Sequence, residues 1–159
     1  MMHPPQEIFR NLWIAAGLSG WFLAQACKIV SAMIQRRPFR LSTLVSTGGM
    51  PSAHSAAVTA AATAIGFTEG WDSPLFAVAF VVATITMFDA STLRLNAGRQ
   101  AQLLNRIAKE LFQNHRLAPE PLKELLGHTR AEVFMGMLTG IATGLFVVAE
   151  FGGRFLCRP

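Results

Sequence analysis

Residues 12–34 have the sequence LWIAAGLSGWFLAQACKIVSAMI, and this stretch decides the fold class. Its one charged residue is Lys28, close to its end. A helix of this length crosses the roughly 30 Å hydrocarbon layer of a lipid bilayer. The whole chain fits the same environment, since 52% of its residues are hydrophobic and 14% are charged, whereas soluble domains carry about a quarter charged residues. We therefore predict a helical membrane protein.

Three further apolar segments cover residues 51–67, 74–95 and 133–156. The first of them is short and rich in alanine and threonine, so on its own it would also suit a buried helix of a soluble protein. Its small side chains, among them Ala56 and Ala60, allow neighbouring helices to approach closely in a membrane. We predict about four spans, folded as a single all-α transmembrane bundle over residues 1–159.

A different pattern occupies residues 96–115, where small and apolar residues line one face of a helix and Arg99, Arg106 and Lys109 line the other. Such a pattern is typical of a helix that lies in the membrane interface. An ordinary amphipathic helix packed on the bundle is the alternative. We predict an interfacial amphipathic helix beside the four spans.

The basic residues are distributed unevenly between the two sides that four spans create. Of the 14 Lys and Arg residues, three fall on the side that holds both termini, and the remaining 11 fall on the opposite side. Short loops rich in Lys and Arg stay in the cytoplasm. We therefore expect both termini on the non-cytoplasmic face. The net charge of +5 is then a signal of membrane orientation, and no segment predicts nucleic-acid binding.

The stretch GGMPSAHSA, residues 48–56, carries the first chemical signal. A glycine pair and a proline precede a predicted helix, which places His54 one turn into it. The N–H groups at the start of a helix point outward, and the helix dipole favours an anion there. His54 is therefore predicted to meet a phosphate.

A second histidine, His128, opens the last apolar segment, and Glu132 follows four residues later on the same helical face. With four spans, both histidines fall at the same membrane face as Lys28 and Arg94. Ionisable residues at the ends of apolar helices are costly, which makes them candidates for function. Structural alternatives exist: Thr129 and Glu132 also match a capping box, and a lysine near a helix end often extends to the interface.

These residues resemble the motifs of the type-2 phosphatidic acid phosphatases, a family related to the vanadium-dependent haloperoxidases, and in particular those of its divergent branch. The family's first motif, a lysine followed by Arg-Pro, is similar to Lys28 with Arg37 and Pro38. Its second motif, Pro-Ser-Gly-His, is similar to residues 51–54, with Ala53 in place of glycine.

The third motif, an arginine with a later His-x-x-x-Asp, is similar to His128 with Glu132 in place of the aspartate. The arginine expected six residues before the histidine is missing, because that position is Leu122. Lys123, Arg130, Arg94 and Arg99 are the candidates to replace it, and Lys123 is the main rival of Arg94. We favour Arg94, since a guanidinium offers two parallel N–H groups to two phosphate oxygens and an ammonium does not.

The resemblance implies a mechanism for these residues. His128 would be the nucleophile and form a phosphohistidine. Glu132 would accept the other ring N–H and fix the tautomer, and His54 would protonate the departing oxygen and then activate water. The implied phosphate-binding groups are Lys28, Arg37, Ser52, the N–H of Ala53, and Arg94. No metal and no other cofactor is implied, because fixed cationic side chains would bind the phosphate oxygens in place of a metal ion.

We predict a metal-independent membrane phosphatase that hydrolyses a phosphate monoester or diphosphate of a lipid, with its active site on the cytoplasmic face. Polyprenyl diphosphate, phosphatidic acid and phosphatidylglycerophosphate are all open as substrates. The alternative is a non-catalytic membrane scaffold or lipid-binding protein that retains a phosphate pocket, which the missing arginine supports. A haloperoxidase is a third interpretation, although an apolar membrane core suits a lipid better than halide and peroxide.

Overall fold

A computed structural model of the chain describes residues 8, 10–34, 49–112 and 127–156, except for the side chains of residues 94, 95, 111, 112 and 154–156. Within these residues the chain forms five α-helices and no strand. The helices are α1 (Leu12–Ile34), α2 (Ala53–Glu69), α3 (Pro74–Ser91), α4 (Leu93–Phe112) and α5 (Arg130–Leu156). The predicted all-α fold is confirmed, and α1 has the bounds of the first predicted span.

Local side-chain bonds set the ends of α2 and α3. Ser52 is the N-cap of α2, and its hydroxyl accepts a hydrogen bond from the N–H of Ser55. Ser73 caps α3 in the same way through the N–H of Phe76. Gly70 follows the last residue of α2 with a positive φ of 97°, a conformation that glycine adopts without steric cost. These residues produce the short turn between the second and third apolar segments.

Thr92 divides the third predicted span. The sequence predicts one apolar helix to residue 95, but α3 ends at Ser91 and α4 begins at Leu93. At Thr92 the backbone leaves helical geometry (φ −123°, ψ −67°). Its N–H and its hydroxyl both donate to the carbonyl of Phe88. The helix is therefore interrupted at Thr92 and not at residue 95, although the hydroxyl bond alone is not the cause, since that of Thr84 makes the same bond within unbroken α3.

Helix α2 lies at the centre of the bundle and packs against α1, α3 and α5. Helix α1 runs antiparallel to it. At one end Ala24 packs beside Ala53 and Ala56, and at the other the indole N–H of Trp13 donates to the hydroxyl of Thr68 over 2.8 Å. The end of α1 and the start of α2 therefore lie at the same end of the bundle.

Three glycines of α5 allow it to lie close to α2. Gly136, Gly140 and Gly144 follow one another at intervals of four residues, on one face of the helix. A Cβ atom at any of them would strike α2. The contacts along α5 are Gly136 with Ser52, Gly140 with Ala56 and Thr59, and Gly144 with Ala60. Helices α5 and α2 therefore run parallel, in the small-x-x-x-small packing common in membranes.

Three helical stretches among the described residues are long and apolar enough to cross a membrane. They are Leu12–Ile34, Pro74–Glu110 and Arg130–Gly153. Helix α2 is not one of them, because its 17 residues extend over only about 26 Å. A membrane-embedded helical bundle is thus confirmed. The count of four spans stays a prediction, which requires the central helix α2 to cross as well.

Helix α4 packs mainly against the end of α3. Arg99, Arg106 and Lys109 on one face are exposed, and so is Leu104 on the other. The predicted helix over residues 96–115 is therefore present and begins three residues earlier, at Leu93, while residues 113–115 lie outside the described part. Its place in the membrane interface stays a prediction.

Candidate active site

Four helices contribute to one end of the bundle: the last turns of α1, the start of α2, the end of α3 and the start of α5. Two backbone hydrogen bonds join these segments. The N–H of Ser52 donates to the carbonyl of Glu132 over 2.9 Å, and the N–H of His128 donates to the carbonyl of Ala90 over 3.1 Å. The two motifs that carry the histidines are thereby held together, although they are far apart in the sequence.

His128 is buried directly before the start of α5, with 2% of its surface exposed. Its Nδ1 lies 3.4 Å from Oε2 of Glu132, which is close for an ion pair and long for a hydrogen bond. Neither ring nitrogen has a hydrogen-bond partner in the part of the chain that the structure describes. Because burying a polar atom without a partner is costly, Nε2 is a group for which a ligand is expected.

The carboxylate of Glu132 contacts both Thr129 and His128. Its Oε2 accepts a hydrogen bond from the N–H of Thr129 over 2.8 Å, and its own N–H donates to the hydroxyl of Thr129 over 3.3 Å. This is the capping box that the sequence offers as a structural alternative. The same oxygen faces Nδ1 of His128. The structural and the chemical interpretation are therefore compatible, since the capping box orients the carboxylate toward the imidazole.

His54 lies opposite His128. It is the second residue of α2 and has an exposed side chain. The two imidazole rings have centroids 6.5 Å apart and planes inclined by 61°. One ring is thus buried and the other is open to the outside. The roles predicted for the two histidines, nucleophile and proton donor, require such proximity and stay predictions.

Lys28 supplies a buried positive charge from α1, where it is 7% exposed. Its aliphatic stem lies beside Gly49, with Cδ 3.9 Å from the place of a Cβ on that residue. The ammonium interacts electrostatically with both His128 and Glu132. Buried charges are stabilised by opposite charges, so beside the carboxylate of Glu132 this position also suits the oxygen of an anionic ligand.

Ser52 and Ala53 are buried at the start of α2, with 0% and 2% of their surfaces exposed. The hydroxyl of Ser52 accepts from the N–H and the hydroxyl of Ser55, at 3.4 and 3.1 Å. Its first role is therefore to cap α2. These bonds use its lone pairs and leave its own proton to donate. The N–H of Ala53 belongs to the first helical turn, which has no intrahelical acceptor.

The surroundings of His128 favour its neutral form. Burial lowers the pKa of its imidazole below the ordinary value, and the positive charge of Lys28 lowers this pKa further. Glu132 acts in the opposite direction, and His54 adds a small lowering. At neutral pH the ring is therefore uncharged. That is the form whose nitrogen lone pair can attack phosphorus.

Two of the predicted cations, Arg37 and Arg94, and the alternative Lys123 cannot be placed in this site. Arg37 and Lys123 lie outside the described residues. The backbone of Arg94 belongs to the first turn of α4, and its side chain is also outside the described part. Within the described ranges, no group of three His, Cys, Asp or Glu side chains is arranged to hold a metal ion.

Two contributors to the site are absent from the predicted set. The carbonyl of Ala90 anchors the backbone of His128, and no sequence signal distinguishes this alanine from its neighbours. Gly136 packs beneath the N-cap of α2, where a Cβ would strike the backbone of Ser52. Its spacing of four residues from Gly140 was a usable signal, since glycines at this interval mark close helix contacts in membranes.

Comparison with known proteins identifies the family of the chain. The family model described as "Divergent PAP2 family" matches residues 9–143. An uncharacterized membrane protein of Bacillus subtilis (strain 168), YuiD, is 42% identical over 156 residues, which cover 91% of this chain and 98% of that protein. No solved structure matches the chain. The extent of the family match and the similarity to this relative show that the chain belongs to the divergent PAP2 family.

Proposed function

We propose that the protein is a membrane lipid phosphatase that hydrolyses a phosphate monoester or diphosphate through a phosphohistidine on His128. One observation carries the proposal: Nε2 of this buried histidine has no hydrogen-bond partner among the described residues, while Glu132 lies against its other nitrogen. Membership of a phosphatase-related membrane family supports the same reaction class. A membrane-embedded site suits a lipid because the headgroup reaches it without leaving the bilayer.

In the first step, Nε2 of His128 attacks phosphorus and forms an N–P bond as the O–P bond to the leaving group breaks. His54 gives its proton to the departing oxygen. The carboxylate of Glu132 accepts from Nδ1–H, which keeps the lone pair on Nε2 and stabilises the positive charge that develops on the ring. The present 3.4 Å separation shortens as this charge forms.

In the second step, His54 takes a proton from water, the water oxygen attacks phosphorus, and the N–P bond breaks. The products are inorganic phosphate and the restored imidazole. Through both steps charge on the non-bridging oxygens needs fixed positive groups. We assign this to Lys28, Arg37 and Arg94, with hydrogen bonds from Ser52 and the N–H of Ala53. The distribution of basic residues supports a cytoplasmic position for the site.

The pH dependence of kcat/KM should report the state of His128. Because the ring attacks only when neutral and its pKa is lowered, activity is expected to persist below pH 6.5, roughly the ordinary histidine value, and to fall as pH drops through the lowered pKa. Glu132→Gln removes the charge that raises this pKa, so the acidic limb should move to lower pH. Using one substrate for both proteins cancels the ionisation of the substrate. Movement of the limb to higher pH would contradict this assignment.

Hydrolysis should not require a divalent metal. Purified protein in detergent is expected to release phosphate from one or more of polyprenyl diphosphate, phosphatidic acid and phosphatidylglycerophosphate in the presence of a chelator. Vanadate should inhibit, because its five-coordinate form resembles the transition state. Activity that disappears with chelator and returns with magnesium would count against the mechanism. Binding of these lipids without phosphate release from any of them would favour the non-catalytic alternative.

A further inference from the structure

An apolar cavity of about 420 Å³ lies between α2, α3 and α5. We name it the α2/α3/α5 groove. Its lining is aromatic and aliphatic, with Phe67, Trp71, Phe76, Phe80, Met137 and Ile141 among its residues. It exists because α3 and α5 both pack against α2 and make few contacts with each other. Both helices belong to stretches long and apolar enough to cross a membrane, so in a bilayer a groove between them would open sideways to lipid.

Two of the three threonines that line the groove, Thr59 and Thr84, do not make it polar. The hydroxyl of Thr59 donates to the carbonyl of Ser55 over 2.7 Å, and the hydroxyl of Thr84 donates to the carbonyl of Phe80 over 2.8 Å. Each hydroxyl is therefore satisfied by its own helix, which leaves the methyl group for the groove. The wall is chemically suited to hydrocarbon and offers no free partner to a polar ligand at these two positions.

The groove begins beside the candidate active site. On α3, Met87 lines it, and three residues later the carbonyl of Ala90 holds the backbone of His128. On α2, Thr59 lines it one turn after Ser55, which is bonded to the N-cap Ser52. A molecule with its phosphate at His128 would therefore have the groove directly below its leaving group.

Aromatic rings line the far end of the groove. Trp71 makes edge contacts with Phe67 and Phe76, at centroid distances of 5.1 and 4.9 Å. From Phe76 to Met87 the wall of α3 extends over roughly 17 Å. This length is slightly more than half the hydrocarbon thickness of a bilayer, which is about 30 Å. The groove thus has the length of one lipid tail in one leaflet.

From this geometry we propose that the α2/α3/α5 groove binds one hydrocarbon chain of the phosphorylated lipid, with the chain running from the phosphate at His128 to the cluster around Trp71. The proposal rests on the proposed function for the position of the headgroup. It commits to one occupant, a single long hydrocarbon chain. In a lipid with two chains, the second chain stays in the surrounding bilayer. Recognition then depends on the length of one chain more than on the headgroup beyond the phosphate.

Photolabelling tests the groove without requiring turnover. The probe is a long-chain alkyl phosphate with a diazirine near its chain end, applied to the full chain in detergent. Label is expected on Phe67, Trp71 or Phe76, and an excess of unlabelled long-chain alkyl phosphate should remove it while the corresponding alcohol should not. Label that spreads equally over the outer face of α1, at Leu23 and Val30, and resists competition would overturn the proposal. Labelling of the groove by a protein that hydrolyses nothing would refute the proposed function alone.

A pair of substitutions on α3 provides a second test of the groove. Thr84→Trp fills the middle of the groove, whereas Val82→Trp places the same bulk on the opposite face of the helix, where Val82 is 49% exposed. Thr84→Trp is expected to weaken binding of a long-chain alkyl phosphate at least about tenfold, the size of effect expected when a few methylene groups lose an apolar site. Binding of a short-chain alkyl phosphate should not change, and Val82→Trp should behave like the unchanged protein. Equal weakening for both chain lengths, or by both substitutions, would refute the groove as the chain site.

Discussion

Replacement of His128 by alanine is expected to reduce phosphate release by on the order of 10⁵-fold, because it removes the nucleophile on which the reaction proceeds. Glu132→Gln should retain weak activity, since it keeps the side-chain volume and loses only the charge that orients and stabilises the ring. Initial rates with a lipid phosphate, measured at equal amounts of folded protein, would establish both effects.

The control for this prediction is the fold of the variant. The bond that ties this segment to α3 uses the backbone N–H of residue 128, so alanine keeps it. The substitution also removes two buried ring nitrogens that have no hydrogen-bond partner among the described residues. We therefore expect His128→Ala to be as stable as the unchanged protein in detergent. Full activity of this folded variant would refute the proposed mechanism.

The second large effect concerns packing at Gly140. A Cβ at this position would strike the hydroxyl of Thr59 and the backbone of Ala56 on α2. Because the neighbouring atoms include helix backbone, the new methyl group can be accommodated only if α5 moves away from α2. Overpacking of this kind typically costs about 1–3 kcal/mol, with the high end reached when the surroundings cannot yield. Gly140→Ala is therefore expected to lower the thermal unfolding temperature in detergent and the yield of folded protein.

Gly153 provides a matched control on the same helix. A Cβ there has nothing within 4 Å, so Gly153→Ala introduces the same methyl group without a clash. Alanine is also favoured over glycine in a helix by about 1 kcal/mol. Gly153→Ala should therefore leave the unfolding temperature unchanged or raise it slightly. If Gly140→Ala were as stable as Gly153→Ala, the close contact between α5 and α2 would not be a determinant of the fold.

The sequence predicted the helices well where the membrane constrains them. The bounds of α1 are those of the first apolar segment, because a span must match the hydrocarbon thickness. The break at Thr92 was not predicted, because the hydroxyl bond of Thr92 to Phe88 is one that threonines also make within unbroken helices, as Thr84 does, so no local pattern marks the position. The place of α2 at the centre follows from its small side chains, but the depth of its contact with α5 requires the positions of Gly136, Gly140 and Gly144 in three dimensions.

The site was predictable where its contacts are local. Glu132 lies four residues after His128, so helical spacing alone places them together, and the contact is present. The 6.5 Å separation of the rings of His54 and His128 depends on the pairing of α2 with α5. Spacing could indicate only that the two histidines share one end of the bundle. The replacement of the missing arginine depends on side chains outside the described residues, and Arg94 stays a prediction.

The most direct test of the proposed function is the isolation of the covalent intermediate. The protein in detergent is mixed with a lipid radiolabelled in its phosphate and quenched within one turnover, and the labelled residue is then identified by mass spectrometry. The proposed mechanism predicts a phosphoryl group on the ring of His128 that is stable in base and labile in acid, and no label in His128→Ala protein. Steady hydrolysis without any label on His128, or equal labelling of the His128→Ala protein, would contradict it.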